Sequence, residues 1–169
     1  MLVKYIESVP EFNQLSVEIL DLISKVPTKE NQISCQSNIK DSDEWHATVG
    51  SIKLLDQQDE TVYWQINPSL KGSVIEKTIN RYQGFRCRIM IMDARKCYSI
   101  HADPTPRIHI PIVTNEQCWM VWPYDNYSQH LVEGRTFWTD TTKRHTAFNA
   151  HDTESRIHLV MCVKPESVF

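Results

Sequence analysis

Tyr98-Ser99-Ile100-His101-Ala102-Asp103-Pro104-Thr105-Pro106-Arg107-Ile108-His109-Ile110-Pro111 brings an imidazole, a carboxylate two residues on, a guanidinium and a second imidazole into one short span. Side chains on an extended chain repeat every second residue, so His101 and Asp103 share a face. Two ligands on one face can hold adjacent positions of a metal ion but do not close a site. A third ligand must come from elsewhere. His145 is the leading candidate and His151 competes with it. Two histidines and one carboxylate on one face of an octahedron, with three positions open, is the ligand set of non-haem Fe(II) oxygenases.

A lone His-x-Asp is weak evidence, and the second half of the chain strengthens it. Arg144-His145-Thr146-Ala147-Phe148-Asn149 is followed by Ser155-Arg156-Ile157-His158-Leu159-Val160. Arg-Ile-His therefore occurs twice, at Arg107–His109 and Arg156–His158, once downstream of each candidate ligand. In each copy Arg and His fall on one strand face and Ile on the other. An open metal beside two inward Arg-x-His pairs suits an anionic, chelating co-substrate. The competing reading makes His109 and His158 hydrogen-bonded core histidines and the arginines salt-bridge partners.

Working outward, alternating residues begin at Phe85 and continue to the end. Phe85–Met92, Tyr98–Ile100, Arg107–Val113, Gln117–Trp122, Gln129–Val132, Thr136–Trp138 and Arg156–Val163 read as strands, with turns that include Glu133-Gly134-Arg135. Many short strands at regular spacing predict a β-sandwich or barrel. Upstream, Phe12, Leu15, Ile19, Leu22, Ile23 and Val26 recur at helical spacing from about Glu11, and Pro27 stops the run. A short helix is expected from Ser73 to Tyr82, and a strand over Thr61–Ile66. Residues 28–60 are polar and read as a surface connection.

The chain has 169 residues, is 41% hydrophobic and carries a formal charge of −3 with no basic run. That length and composition predict one domain over 1–169, with a helical and irregular part at 1–80 and a β-barrel core at 81–164. The charge balance argues against nucleic acid or an anionic membrane as partner, and no span is long enough to cross a bilayer. Five cysteines without a C-x-x-C pair read as reduced thiols in a cytoplasmic protein.

His101-x-Asp103, Arg107-x-His109, Gly134, His145-x-x-x-Asn149 and Arg156-x-His158, in that order, resemble the 2-oxoglutarate- and Fe(II)-dependent oxygenases. The closest likeness is to the aspartyl/asparaginyl β-hydroxylase-like branch that includes bacterial cis-proline hydroxylases. The similarity runs from about Arg81 to Val163. It implies a mainly β fold, a double-stranded β-helix (a jelly-roll or cupin-like core) behind N-terminal helices. It implies Fe(II) on His101, Asp103 and His145, with 2-oxoglutarate and O₂ as co-substrates. Arg156 would meet the distal carboxylate of 2-oxoglutarate with His158 nearby, and Arg107 and His109 the carboxylate beside the keto group. Some members of the branch carry glycine at the position of Asp103, so the full triad is more like that of the proline hydroxylases. The activity implied is hydroxylation of a free amino acid or other small polar metabolite, with release of succinate and CO₂. Hydroxylation of an Asp, Asn or Pro side chain in a peptide is the alternative. A cupin-like metal or ligand binder without oxygenase activity is the reading from another class, and it leaves the paired Arg-x-His sites without a use.

Overall fold

The structure is a computed structural model, and it describes residues 1–50 and 59–167. Part of the polar 28–60 span, residues 51–58, therefore lies outside the described residues. Six strands form the main antiparallel sheet: β1 (Val3–Ser8), β2 (Gln32–Ser34), β5 (Phe85–Met92), β7 (Arg107–Val113), β10 (Arg135–Thr139) and β12 (Arg156–Cys162). Their spatial order is β1-β10-β7-β12-β5-β2. A second, four-stranded sheet runs β6-β11-β8-β9, built from β6 (Lys96–Cys97), β8 (Cys118–Trp122), β9 (Tyr127–Gln129) and β11 (Thr146–Asn149). The short strands β3 (Gln36–Ser37) and β4 (Gln65–Ile66) pair separately. The jelly-roll core that the family resemblance implies is present.

The alternation of the central strands divides the main sheet into two different faces. Cys87 and Ile89 of β5, Ile108, Ile110 and Ile112 of β7, and Leu159 and Met161 of β12 all join one apolar cluster. Against it pack α1 (Phe12–Lys25) through Leu15 and Ile19, and α2 (Val74–Arg81) through Val74, Ile75 and Ile79. The residues between them on the same strands are Arg86 and Arg88, Arg107 and His109, Arg156 and His158. All six are buried on the face turned away from the helices. The helices thus cover an oily face and leave a polar one inside the barrel.

Local chemistry accounts for the helix ends. Ser73 accepts the Glu76 N–H at the start of α2, and Glu18 of α1 accepts the Val74 and Ile75 N–H groups, at 2.8 and 3.2 Å. Gly134, at φ +71°, makes the turn into β10, where a non-glycine residue would be strained. Three expectations fail. Gln129–Val132 is strand only at Gln129, the last residue of β9. Thr61–Ile66 is not one strand, because Asp59 accepts the Thr61 N–H and winds Glu60–Val62 into a 3-10 turn, leaving strand only at Gln65–Ile66. Tyr98–Ile100 belongs to no strand, although the Tyr98 N–H still reaches the Ala147 carbonyl at 2.9 Å.

Candidate active site

His101 and His145 face each other across the mouth of the barrel. Each backbone N–H bonds the other's carbonyl, at 3.0 and 2.8 Å, which makes an isolated antiparallel bridge. Asp103 is held two residues on by its N–H to the Thr141 carbonyl, at 2.9 Å. One nitrogen from each histidine and one Asp103 oxygen all lie within 4.8 Å of one another. Nε2 of His101 is 4.0 Å from Oδ1 of Asp103, and Nε2 of His145 is 3.9 Å from Oδ2.

Nδ1 of His101 lies 2.7 Å from the Ser99 carbonyl oxygen, and Nδ1 of His145 lies 3.0 Å from that of Lys143. Only a protonated Nδ1 bonds a carbonyl, so in both rings Nε2 is the nitrogen left to face Asp103. Burial lowers the pKa of His145, which keeps the ring neutral as a ligand must be. Two imidazole nitrogens and one carboxylate are a donor set that would hold a divalent iron. Trp122 backs His145, with ring centroids 6.1 Å apart. His151 is not part of this group. Its ring accepts the Thr153 and Glu154 N–H groups in the turn after β11.

Arg107 differs from its expected place beside the co-substrate. Its Nη1 and Nη2 donate to Glu60, at 3.0 and 2.8 Å; Nη1 also reaches Thr105 at 2.8 Å, and Nη2 contacts Asp103 at 3.2 Å. A further bond runs to the Cys162 sulfur. This arginine is already occupied, and its contact fixes the carboxylate of Asp103. Glu60 also accepts from Arg86 at 2.6 Å and from Thr105 at 2.7 Å. Burial alone would raise the Glu60 pKa, but Arg107, with its hydrogen bonds, and Arg86 outweigh it and hold the group down to about 2. Nothing in the sequence marks Glu60, whose partner Arg107 is 47 residues away.

Arg156 is 3% exposed, and its guanidinium has no hydrogen-bond partner among the described residues. His158 beside it is 2% exposed, and its Nε2 is unpartnered as well. Burial lowers the pKa of both His158 and His109, so two neutral rings meet there, Nδ1 to Nδ1 at 3.4 Å. Thr114, Trp119 and Leu131 line a narrow gap together with Arg156 and His158. His130, which reads as an ordinary surface residue in the sequence, stands close enough to bear on His158 electrostatically. A buried guanidinium without an anion is costly, and here it borders that narrow gap. Asn149 is structural: its amide bonds the Met92, Asp93 and Glu154 carbonyls and so anchors the loop that delivers Arg156.

A jelly roll with a His-Asp-His cluster at its mouth and a cationic wall inside is the architecture of the 2-oxoglutarate- and Fe(II)-dependent oxygenases. The chain belongs to the aspartyl/asparaginyl beta-hydroxylase family, whose model matches residues 11–165, well upstream of the motifs that begin near Arg81. It is a 2-oxoglutarate- and Fe(II)-dependent dioxygenase. No curated protein matches the chain in sequence. Among solved structures, the viral collagen prolyl hydroxylase of Paramecium Bursaria Chlorella virus-1 is similar with a TM-score of 0.54 and 10% identity. That match covers 97% of this chain and 91% of the viral one. A Pseudomonas putida prolyl-4-hydroxylase is similar at 0.50 and 11% identity, covering 96% and 92% of the two chains. NgTET1, solved in complex with 5mC DNA, reaches 0.53 and 14%, covering 98% and 73%. These likenesses show a shared fold.

Proposed function

We propose that this dioxygenase hydroxylates a free amino acid or another small polar metabolite, with Fe(II) held by His101, Asp103 and His145. 2-Oxoglutarate lies along the inner wall, its distal carboxylate on Arg156 and its body beside His158 and His109. The observation that carries this reading is the buried guanidinium of Arg156, which has no hydrogen-bond partner among the described residues and shares a wall with Arg107, the residue that contacts Asp103. Arg107 takes a different part from the one its motif implies. It holds Oδ1 of Asp103, which leaves Oδ2 for the metal.

When bound, iron and 2-oxoglutarate supply the oxidative chemistry, with succinate and CO₂ as by-products. The chain's own residues do the positioning. Arg156 makes a charge-assisted pair with the distal carboxylate and fixes the orientation of the co-substrate. His109 and His158, neutral in their buried setting, offer ring nitrogens without adding a second positive charge beside Arg156. The apolar residues Met92, Met120, Trp122 and Phe137 pack together between the two sheets and keep water out of the reaction space.

A second reading, hydroxylation of a side chain within a peptide, is favoured by the exposure of His101, whose side chain is 41% accessible. Adding Fe(II) and 2-oxoglutarate without oxygen is expected to give a visible charge-transfer band. A screen of free amino acids, metabolites and peptides for stimulated succinate release then identifies the substrate class. Absence of the band would remove this reading of the site. Stimulation by peptides alone would replace the small metabolite with a peptidyl substrate.

A further inference from the structure

We infer that Arg88 is a second anion-binding group inside the barrel and that it takes a carboxylate of the substrate. The inference rests on the dioxygenase reading above and deepens it by naming the chemical class of the substrate. Arg86, Arg88 and Arg95 lie close together in the sequence, and the structure separates them. Arg95 is exposed in a turn. Arg86 is buried but fully engaged, with Glu60 at 2.6 Å and the Thr48 and Gly50 carbonyls at 3.2 and 2.7 Å. Arg88 is 6% exposed, and its one hydrogen bond among the described residues runs from Nη1 to the neutral Gln32 amide oxygen, at 2.9 Å. Its Nε is buried with no partner, and no carboxylate pairs with it among the described residues.

The register places Arg88 on the side of the site away from Arg156. On β12 the neighbour of Arg88 is Val160, which in turn stands opposite His109 of β7. Arg156, four residues before Val160, sits opposite Met92 at the other end of the same wall. Along a strand that separation is about 13 Å, too far for one five-carbon diacid to satisfy both arginines. Arg88 feels the charges of Arg107 and Asp103, whereas Arg156 feels Tyr98 and Cys118. One guanidinium therefore borders the gap beside His158, and the other lies toward the Arg107 and Asp103 end of the wall. Burial, helped by neighbouring Arg86, pushes the Arg88 pKa down to about 10, still well above neutrality, so the group is a cation awaiting an anion. A guanidinium so placed makes two parallel bonds to a carboxylate.

The test uses the full chain loaded with Fe(II) and 2-oxoglutarate, and Arg88→Met, which keeps length and removes charge. The probes are free amino acids and hydroxy acids, each paired with its primary amide, scored by stimulated succinate release. The expected result is stimulation by an acid and not by its amide. In Arg88→Met, the half-saturating concentration of that acid rises at least about tenfold. The 2-oxoglutarate concentration that half-develops the anaerobic charge-transfer band barely moves. Equal stimulation by acid and amide, or an unchanged half-saturation in the variant, overturns the assignment. So does an equal weakening of 2-oxoglutarate, which would place Arg88 with the co-substrate. Thermal melting of the ligand-free proteins decides the case in which no probe is turned over. Removing an unpaired buried cation is expected to raise the melting temperature, and a lower one marks a structural arginine and overturns the inference. Failure of wild type to form the band indicts the dioxygenase reading and not Arg88.

Discussion

Glu60→Gln is the substitution that the interior of this protein is expected to tolerate least. The carboxylate is 2% exposed and accepts four hydrogen bonds, one from Arg86, two from Arg107 and one from Thr105. Glutamine keeps the shape but leaves two buried guanidinium groups without their shared counter-ion. Breaking a buried pair in this way costs about 3–5 kcal/mol. An independent route gives a similar figure. The group falls from its ordinary 4.5 to about 2 on folding, and at 1.36 kcal/mol for each unit that is about 3 kcal/mol. Set against a total stability of roughly 5–15 kcal/mol, the loss is large.

The same shift fixes the pH dependence. A depressed carboxylate stabilises the fold fully above its unfolded pKa, so wild type and variant are expected to differ most above about pH 4.5. The difference shrinks as pH falls toward about 2, where the folded-state carboxylate takes up its proton. Urea unfolding followed by far-UV circular dichroism measures it. With a slope of about 2 kcal/mol per molar, the midpoint at pH 7 is expected to drop by about 1.5–2.5 M. A midpoint shift below about 0.5 M at pH 7, or a gap that stays constant down to pH 3, would refute Glu60 as the anchor of Arg86 and Arg107.

Three further outcomes concern the site. Asp103→Ala removes the only carboxylate of the triad and is expected to lower both Fe(II) affinity and turnover strongly; wild-type turnover at limiting iron would show that Asp103 is not a ligand. His145→Ala is expected to abolish iron-dependent activity while His151→Ala retains most of it, and the reverse result would move the third ligand into the Asn149–Asp152 turn. Arg156→Lys keeps the charge but loses the fork. The 2-oxoglutarate requirement is expected to rise roughly ten- to a hundredfold, from about 1.5–3 kcal/mol of lost charge-assisted bonding, with iron affinity measured without co-substrate unchanged. A keto acid lacking the distal carboxylate is expected to show little further loss, and an equal loss for both keto acids would place Arg156 elsewhere.

The parts of this architecture that were readable in the sequence are those written as local pattern. Phe85–Met92, Arg107–Val113 and Arg156–Cys162 alternate so regularly that both the sheet and the inward set of Arg and His residues follow from period two. His101 and Asp103 needed only their spacing. What escaped depends on pairing at long range. The strand Val3–Ser8 is recognisable only through its partner Arg135–Thr139, because half of its residues are solvent-facing and no periodic signal separates it from a tail. Thr61–Ile66 has β-rich composition, but one Asp side chain at its start outweighs that preference. Glu60 is a single acid in a polar span, and its role arises only when the fold delivers Arg86 and Arg107 to it. The occupancy of Arg107 was hidden for the same reason: a repeated motif shows which residues point inward, not which of them already have partners.

The distribution of charge inside the barrel separates structure from function. Arg86, Arg88, Arg107 and Arg156 line one wall, and among the described residues the acids that pair with them are Glu60 and Asp103. Those two acids are spent on Arg86 and Arg107, the pair that stiffens the support of the metal cluster. No acid among the described residues pairs with Arg88 or Arg156, and a buried cation left in that way costs stability. A chain selected for packing alone would have apolar residues at both positions, as it does at Val160 and Met92 between and beside them. Unpaired charge that persists in a dry interior is accounted for when an anion arrives to neutralise it, and two such charges at opposite ends of one wall call for two separate anions. One is the co-substrate that the family requires. The other belongs to the molecule that is oxidised.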